Sequence, residues 1–92
     1  MTILHRKFCL GNIFATPGVL AAIPHDEVIR ALARHQSGDW GDVDAEDRAE
    51  NEYSLGRRLR LLSAYHSRMG VKFWIITEAD RSSTTILLPD EY

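Results

Sequence analysis

The hydrophobic pattern along this chain runs from alternating to helical and back to alternating. Val28, Ile29, Ala31, Leu32 and His35 recur at helical spacing, which predicts an amphipathic helix over residues 25–36. Pro24 can start it, Asp26 and Glu27 suit the positive end of its dipole, Arg34 and His35 suit the negative end, and Gly38 terminates it. Upstream, "TPGVLAAIP" reads as one or two helical turns, with Thr16 as the cap and Pro17 at the first position, where a missing N–H costs nothing. Downstream, Asp44 can cap a third helix through about Arg58, with an Asp44–Arg48 pair and a thin apolar stripe of Ala45, Ala49, Tyr53 and Gly56. Residues 6–16, "RKFCLGNIFAT", alternate as one strand bent or bulged at Gly11. A hairpin at Gly11-Asn12 would leave arms of only about four residues, below the usual ~5 to 6.

After Gly56 the period is two. "RLRLLSAYH", "VKFWIIT" and "TTILLP" read as strands rich in Leu, Ile, Val, Thr and aromatics, joined by "SRMG" and "EADRSS", both of hairpin length. The expected fold is a small α+β domain of order β-α-α-α-β-β-β. Its antiparallel meander sheet has three to four strands, depending on whether the first strand joins, with helices packed on one face. In the middle strand Val71, Phe73, Ile75 and Thr77 form the better core face. Trp74 and Ile76 on the other side need cover from the helices or from a second chain, so an exposed side there or an unpaired sheet edge would favour a homodimer.

Ninety-two residues enclose one core, which predicts a single globular domain over 1–92. An apolar content of 45% is too high for a chain that stays disordered. Cys9 is the only cysteine, which excludes an intramolecular disulfide and a cysteine-based zinc site, fits a reducing compartment, and reads as a buried thiol. The apolar start "MTILHRKFCLGNIF" is broken at Cys9, Gly11 and Asn12 with no Ala-x-Ala site after it, so the expected location is cytoplasmic. No stretch approaches the ~20 apolar residues of a membrane helix.

The net charge of −2 conceals a segregated distribution. Asp39, Asp42, Asp44, Glu46, Asp47, Glu50 and Glu52 lie close together with Arg48 alone among them, whereas residues 53–72 hold Arg57, Arg58, Arg60, Arg68 and Lys72 and no acid. Asp42, Asp44 and Glu46 have the first spacings of an EF-hand, but Asp47 stands where its turn glycine belongs and Tyr53 where its bidentate glutamate belongs, so calcium is not expected. Three readings remain: carboxylates solvated at a helix N-terminus, carboxylates that neutralise the arginine-rich stretch following them, or a surface for a basic partner formed by Asp39, Trp40, Asp42, Asp44, Glu46, Asp47 and Glu50. Trp40 either plugs the edge of the core or anchors an interface. His35 is a C-terminal dipole partner that Asp39 could orient.

A second constellation is "EADRSSTT", residues 78–85, where Arg81 and four hydroxyls could hold a phosphate. With His66 and Glu78 it supplies the catalytic residue types of a small metal-independent ribonuclease, the alternative to a binding protein. No His spacing predicts a metal, no glycine motif predicts a phosphate loop, and no cofactor is implied. Direct nucleic-acid binding through Arg57, Arg58 and Arg60 conflicts with a pI near 6.0.

"LGNIFATPGVL", "RHQSGDWGDVDAEDRAEN" and "LLSAY....GVKFWIITEADRSSTTILLPDEY" together resemble a family of short, plasmid-related bacterial proteins carried on mobile elements, over nearly all of residues 10–92. The resemblance brings no catalytic residues. It implies a context in which small proteins inhibit host defence, in the manner of anti-CRISPR or antirestriction proteins, or act as small toxins. The combined expectation is a non-enzymatic, cytoplasmic interaction protein. Its acidic surface would meet a basic surface on a host protein that handles nucleic acid.

Overall fold

Glycine, proline and a few polar caps divide the first half of the chain into its elements. The computed structural model describes residues 6–92. Gly11 has a φ of 66°, and a Cβ there would lie 2.3 Å from the carbonyl oxygen of Ser82, so only glycine allows the chain to pass this closely before β1 (Asn12–Ala15). The expected strand over 6–16 is therefore shortened to its last part. Cys9, in the segment ahead of it, is exposed and not a buried thiol.

Thr16 caps α1 (Pro17–Ala22), its hydroxyl accepting from the Val19 amide at 3.4 Å. Helix α2 (His25–Gln36) follows Pro24 and matches the predicted bounds. Asp44 caps α3 (Ala45–Arg57) by accepting from the Asp47 amide at 2.8 Å. Strands β2 (Leu61–His66), β3 (Lys72–Thr77) and β4 (Ser83–Leu87) then form the meander, and a 3-10 turn over Pro89–Glu91 ends the chain.

The strand order is β1-β4-β3-β2. β2, β3 and β4 are antiparallel, but β1 runs parallel to β4, with Asn12 opposite Ser83 and Ala15 opposite Ile86. The α+β class and element order are as expected, while the sheet is mixed and not purely antiparallel. Alternation is the same in both ladder types. Direction is set by the route between partners, and all three helices and the other two strands lie between β1 and β4 in the chain.

One face of the sheet carries the apolar core. Val19, Ile23, Val28, Ala31 and Leu32 from α1 and α2 meet Tyr65, Phe73, Ile75 and Ile86. Burying a large apolar side chain stabilises by about 1.5–3 kcal/mol, so this layer dominates the fold. On the other face Ile76 is buried, and half-buried Trp74 meets the edge of Tyr92 with ring centroids 5.9 Å apart. Arg60 holds Tyr92 by donating to its hydroxyl at 2.6 Å. The cover that Trp74 calls for is supplied in part by the chain's own Tyr92.

Helix α3 packs differently from its predicted stripe. Tyr53 is about half exposed and carries the Arg57 guanidinium 3.9 Å above its ring, and no Asp44–Arg48 ion pair forms among the described residues. The buried residues of the helix are Asn51 and Ser54. Asn51 donates to the Leu62 carbonyl at 2.7 Å and accepts from its amide at 3.1 Å, imitating a neighbouring strand. Beside it Asp42 donates its amide to Ala64 at 2.7 Å, and Ala64 donates to the Trp40 carbonyl at 3.1 Å. Gly41 makes this approach possible, because a Cβ there would lie 2.1 Å from the Ala64 carbonyl oxygen. The outer edge of β2 is thus closed by the acidic loop and α3. At the opposite edge of the sheet, β1 leaves Ile13 and Phe14 about half exposed.

Candidate functional site

His35 is completely buried and does not meet Asp39. It faces the sheet, where its Nδ1 lies 2.5 Å from the Ser63 hydroxyl and its Nε2 lies 2.8 Å from the Thr77 hydroxyl. Thr77 continues the chain to Thr84 at 2.7 Å, and Thr84 donates to the Leu10 carbonyl at 2.7 Å. The carbonyl can only accept, and this fixes every proton. Thr84 gives its proton to Leu10, so Thr77 donates to Thr84, Nε2–H donates to Thr77, and Nδ1 accepts from Ser63. Burial pushes the His35 pKa down to about 3, with the positive charge of Arg81 adding to the effect, so the imidazole is neutral near pH 7. Ser63, Thr77 and Thr84 are buried like His35, which makes the seam a locked structural network without substrate access.

Trp40 stands at the end of this seam. It is 1% exposed, stacks on Phe8 at 6.2 Å and meets His35 edge-on at 5.7 Å. Its indole N–H is buried without an acceptor among the described residues, a cost of about 1–3 kcal/mol that its apolar burial must exceed. The role of Trp40 as a surface anchor is corrected accordingly: the ring plugs the core, and its loop carries only backbone and carboxylates outward.

Asp39 forms a two-point pair with Arg34, at 2.8 and 3.2 Å, and this pairing holds its carboxyl below the usual range. Arg34 also lies 4.7 Å over the Tyr65 ring. Asp42 bonds His66, Oδ2 to Nδ1 at 2.8 Å, on the exposed end of β2. The carboxylate–imidazole pair of this fold is thus Asp42–His66 and not Asp39–His35. Tyr65, whose hydroxyl donates to the Asp39 carbonyl at 2.6 Å, lines a neighbouring cavity of about 170 Å³ with Glu27, Arg30, Arg34 and His66. The arginines there already face carboxylates, Arg30 with Asp26 and Arg34 with Asp39. No serine, threonine or cysteine lines it as a nucleophile.

The ribonuclease set is not assembled. His66 is opposite Lys72 at one end of β3, whereas Glu78 follows Thr77 at the other end, roughly 20 Å away at the rise of a strand. Glu78 pairs with Arg60 at 3.3 Å. Arg81 has a φ of 62° and turns its guanidinium inward, donating to the carbonyls of Leu59 at 2.7 Å, Glu78 at 3.0 Å and Ser54 at 3.2 Å. It brackets the end of α3 against the β3–β4 turn. Asp80 takes the Ser82 amide and hydroxyl, and Thr84 belongs to the buried seam, so "EADRSSTT" is closed on itself.

The outer part of the acidic segment remains open. Glu46, Asp47, Glu50 and Glu52 are exposed on α3, and none joins an ion pair among the described residues. The following arginines do not turn back to neutralise them, because Arg57 lies on Tyr53, Arg60 on Glu78 and Tyr92, and Arg58 points into a different cavity. Sequence reasoning located these carboxylates but missed the seam around His35. The signal for it was the hydroxyl residues Ser63, Thr77 and Thr84 at inward positions of three apolar strands.

No group of three or more metal-ligating side chains converges among the described residues, and no helix described is long and apolar enough to cross a membrane. In comparison with known proteins, the chain matches no family model, no curated protein and no solved structure.

Proposed function

We propose that this chain is a non-enzymatic interaction protein that presents the exposed acidic face of α3 to a basic surface on a nucleic-acid-handling protein. The observation that carries this reading is the split within the acidic segment. Asp39, Asp42 and Asp44 serve the fold, whereas Glu46, Asp47 and Glu50 have no cationic partner among the described residues. Unneutralised like charges repel one another on a helix by a few tenths of a kcal/mol per pair, and a cationic partner relieves that repulsion. The resemblance to plasmid-related proteins suggests a host defence nuclease or its relatives as the partner class. An acidic helix can occupy a groove built for a phosphate backbone.

The test is a tagged capture experiment in a bacterial host, comparing the natural chain with the double variant Glu46→Lys, Glu50→Lys. These two positions are one helical turn apart on one face and leave the Asp44 cap and the Asp42–His66 pair intact. Nucleic-acid-handling proteins should co-purify with the natural chain, be released by raised salt, and be lost from the variant. Equal recovery by both chains refutes an acidic docking face.

A further inference from the structure

A cavity lies beside the C-terminal end of α3, beyond its acidic first turns. It has a volume of about 450 Å³, within the range of small-molecule sites, and is lined by Lys7, Phe8, Cys9, Leu55, Arg58 and Arg81. Asp80 completes its wall, but its carboxylate is held by the Ser82 amide and hydroxyl. Three cationic residues therefore line the cavity against one carboxylate that is already hydrogen-bonded.

Two of those cations stand in unusual backbone positions. Arg58 and Arg81, with φ of 52° and 62°, are the non-glycine residues of positive φ among the described residues, and both line this cavity. A left-handed conformation costs a residue with a Cβ about 1–2 kcal/mol, which is why glycine usually occupies such a helix cap. For Arg81 the fold offers compensation, because its guanidinium closes the carbonyls of Ser54, Leu59 and Glu78. For Arg58 it offers none: the backbone amide caps α3 at Ser54, as a glycine amide would, and the guanidinium has no ion pair among the described residues. Lys7 likewise joins no ion pair there, its stem crossing Gly38. The charge of Arg58 also adds to burial in lowering the pKa of Arg81, as expected for two cations gathered without an anion between them.

We propose that this cavity binds the phosphate group of a small molecule. Arg58 and Lys7 donate to its oxygens, and Arg81 contributes charge from behind. A phosphomonoester carries about −1.5 to −2 charge at pH 7, which matches three cations offset by one carboxylate. The negative end of the α3 dipole does not oppose it strongly, because the Ser54 carbonyl is already closed by Arg81 and Leu59.

Cys9 provides a reporter, being the chain's only cysteine, exposed, and part of the cavity wall. Its alkylation by neutral iodoacetamide is followed with inorganic phosphate or pyrophosphate against sodium chloride of equal ionic strength. Binding in the millimolar range should slow the reaction severalfold at about 10 mM of either anion. Arg58→Gly keeps the left-handed cap without strain, and Lys7→Gln changes only an exposed side chain, so both variants should fold and both should lose the protection. Unchanged alkylation of the natural chain by both anions overturns the proposal, as does equal protection of Arg58→Gly. Protection by a single-stranded oligonucleotide but by neither small anion also overturns it, in favour of a nucleic-acid backbone.

Discussion

Two histidines of this protein are each held by a short hydrogen bond, and they work in opposite ways. His35 is sealed between α2 and the sheet, both ring nitrogens paired, and is kept neutral by its surroundings. His66 is exposed at the end of β2, with one nitrogen on Asp42, and it helps to line a small cavity. The same side chain is a structural connector where water is excluded and a surface latch where it is not, because an unmade hydrogen bond is costly only in the dry interior.

The largest expected effect tests the sealed member. His35→Ala opens a cavity and leaves Ser63 and Thr77 without their central partner, so it should destabilise by about 3 kcal/mol or more, read as a lower denaturation midpoint with near-native slope. A loss below about 1 kcal/mol would mean that the seam contributes little.

Acid should weaken the same region next. His35 has its pKa pushed down from 6.5 to about 3 in the fold, chiefly by burial, so the unfolded chain takes up a proton that the folded chain refuses. Its contribution is fully present above about pH 6.5 and is lost as pH falls toward about 3, at up to about 1.4 kcal/mol per pH unit. Urea unfolding at a few pH values between about 6.5 and 5.5 measures the slope, above the range where the carboxyls of Asp39, Asp80 and Glu91, lowered in the fold, begin to take up protons in the unfolded chain. A flat profile over this interval contradicts a neutral, buried His35.

The smallest effect belongs to the surface latch. His66→Ala removes a pair whose side chains are each about half exposed, and should cost less than about 1 kcal/mol. A loss as large as that of His35→Ala would erase the contrast between the two sites.

The elements were legible because they follow local rules. Helical spacing in α2, the Asp44 cap and the switch to alternation after Gly56 each depend on neighbours a few residues away. The errors lie where distant residues decide. The stripe read on α3 from Ala49 and Tyr53 failed because the helix lies along a strand edge. There an amide side chain that satisfies the Leu62 backbone is worth more than an apolar one. Trp40 was ambiguous because a tryptophan flanked by glycine and aspartate looks the same in sequence whether it points in or out. Phe8 and His35 decided the matter.

By itself, the sequence determined the α+β class, the order of elements, the ends of α2 and the segregation of charge, since periodicity, capping and composition are properties of short stretches. Only the tertiary structure decided that β1 lies parallel to β4 and that the acidic loop closes an edge. It also decided which carboxylates stay free and that Lys7, Arg58 and Arg81 share a cavity. Strand direction, burial and convergence of charge depend on residues separated by most of the chain, and no local pattern encodes their meeting.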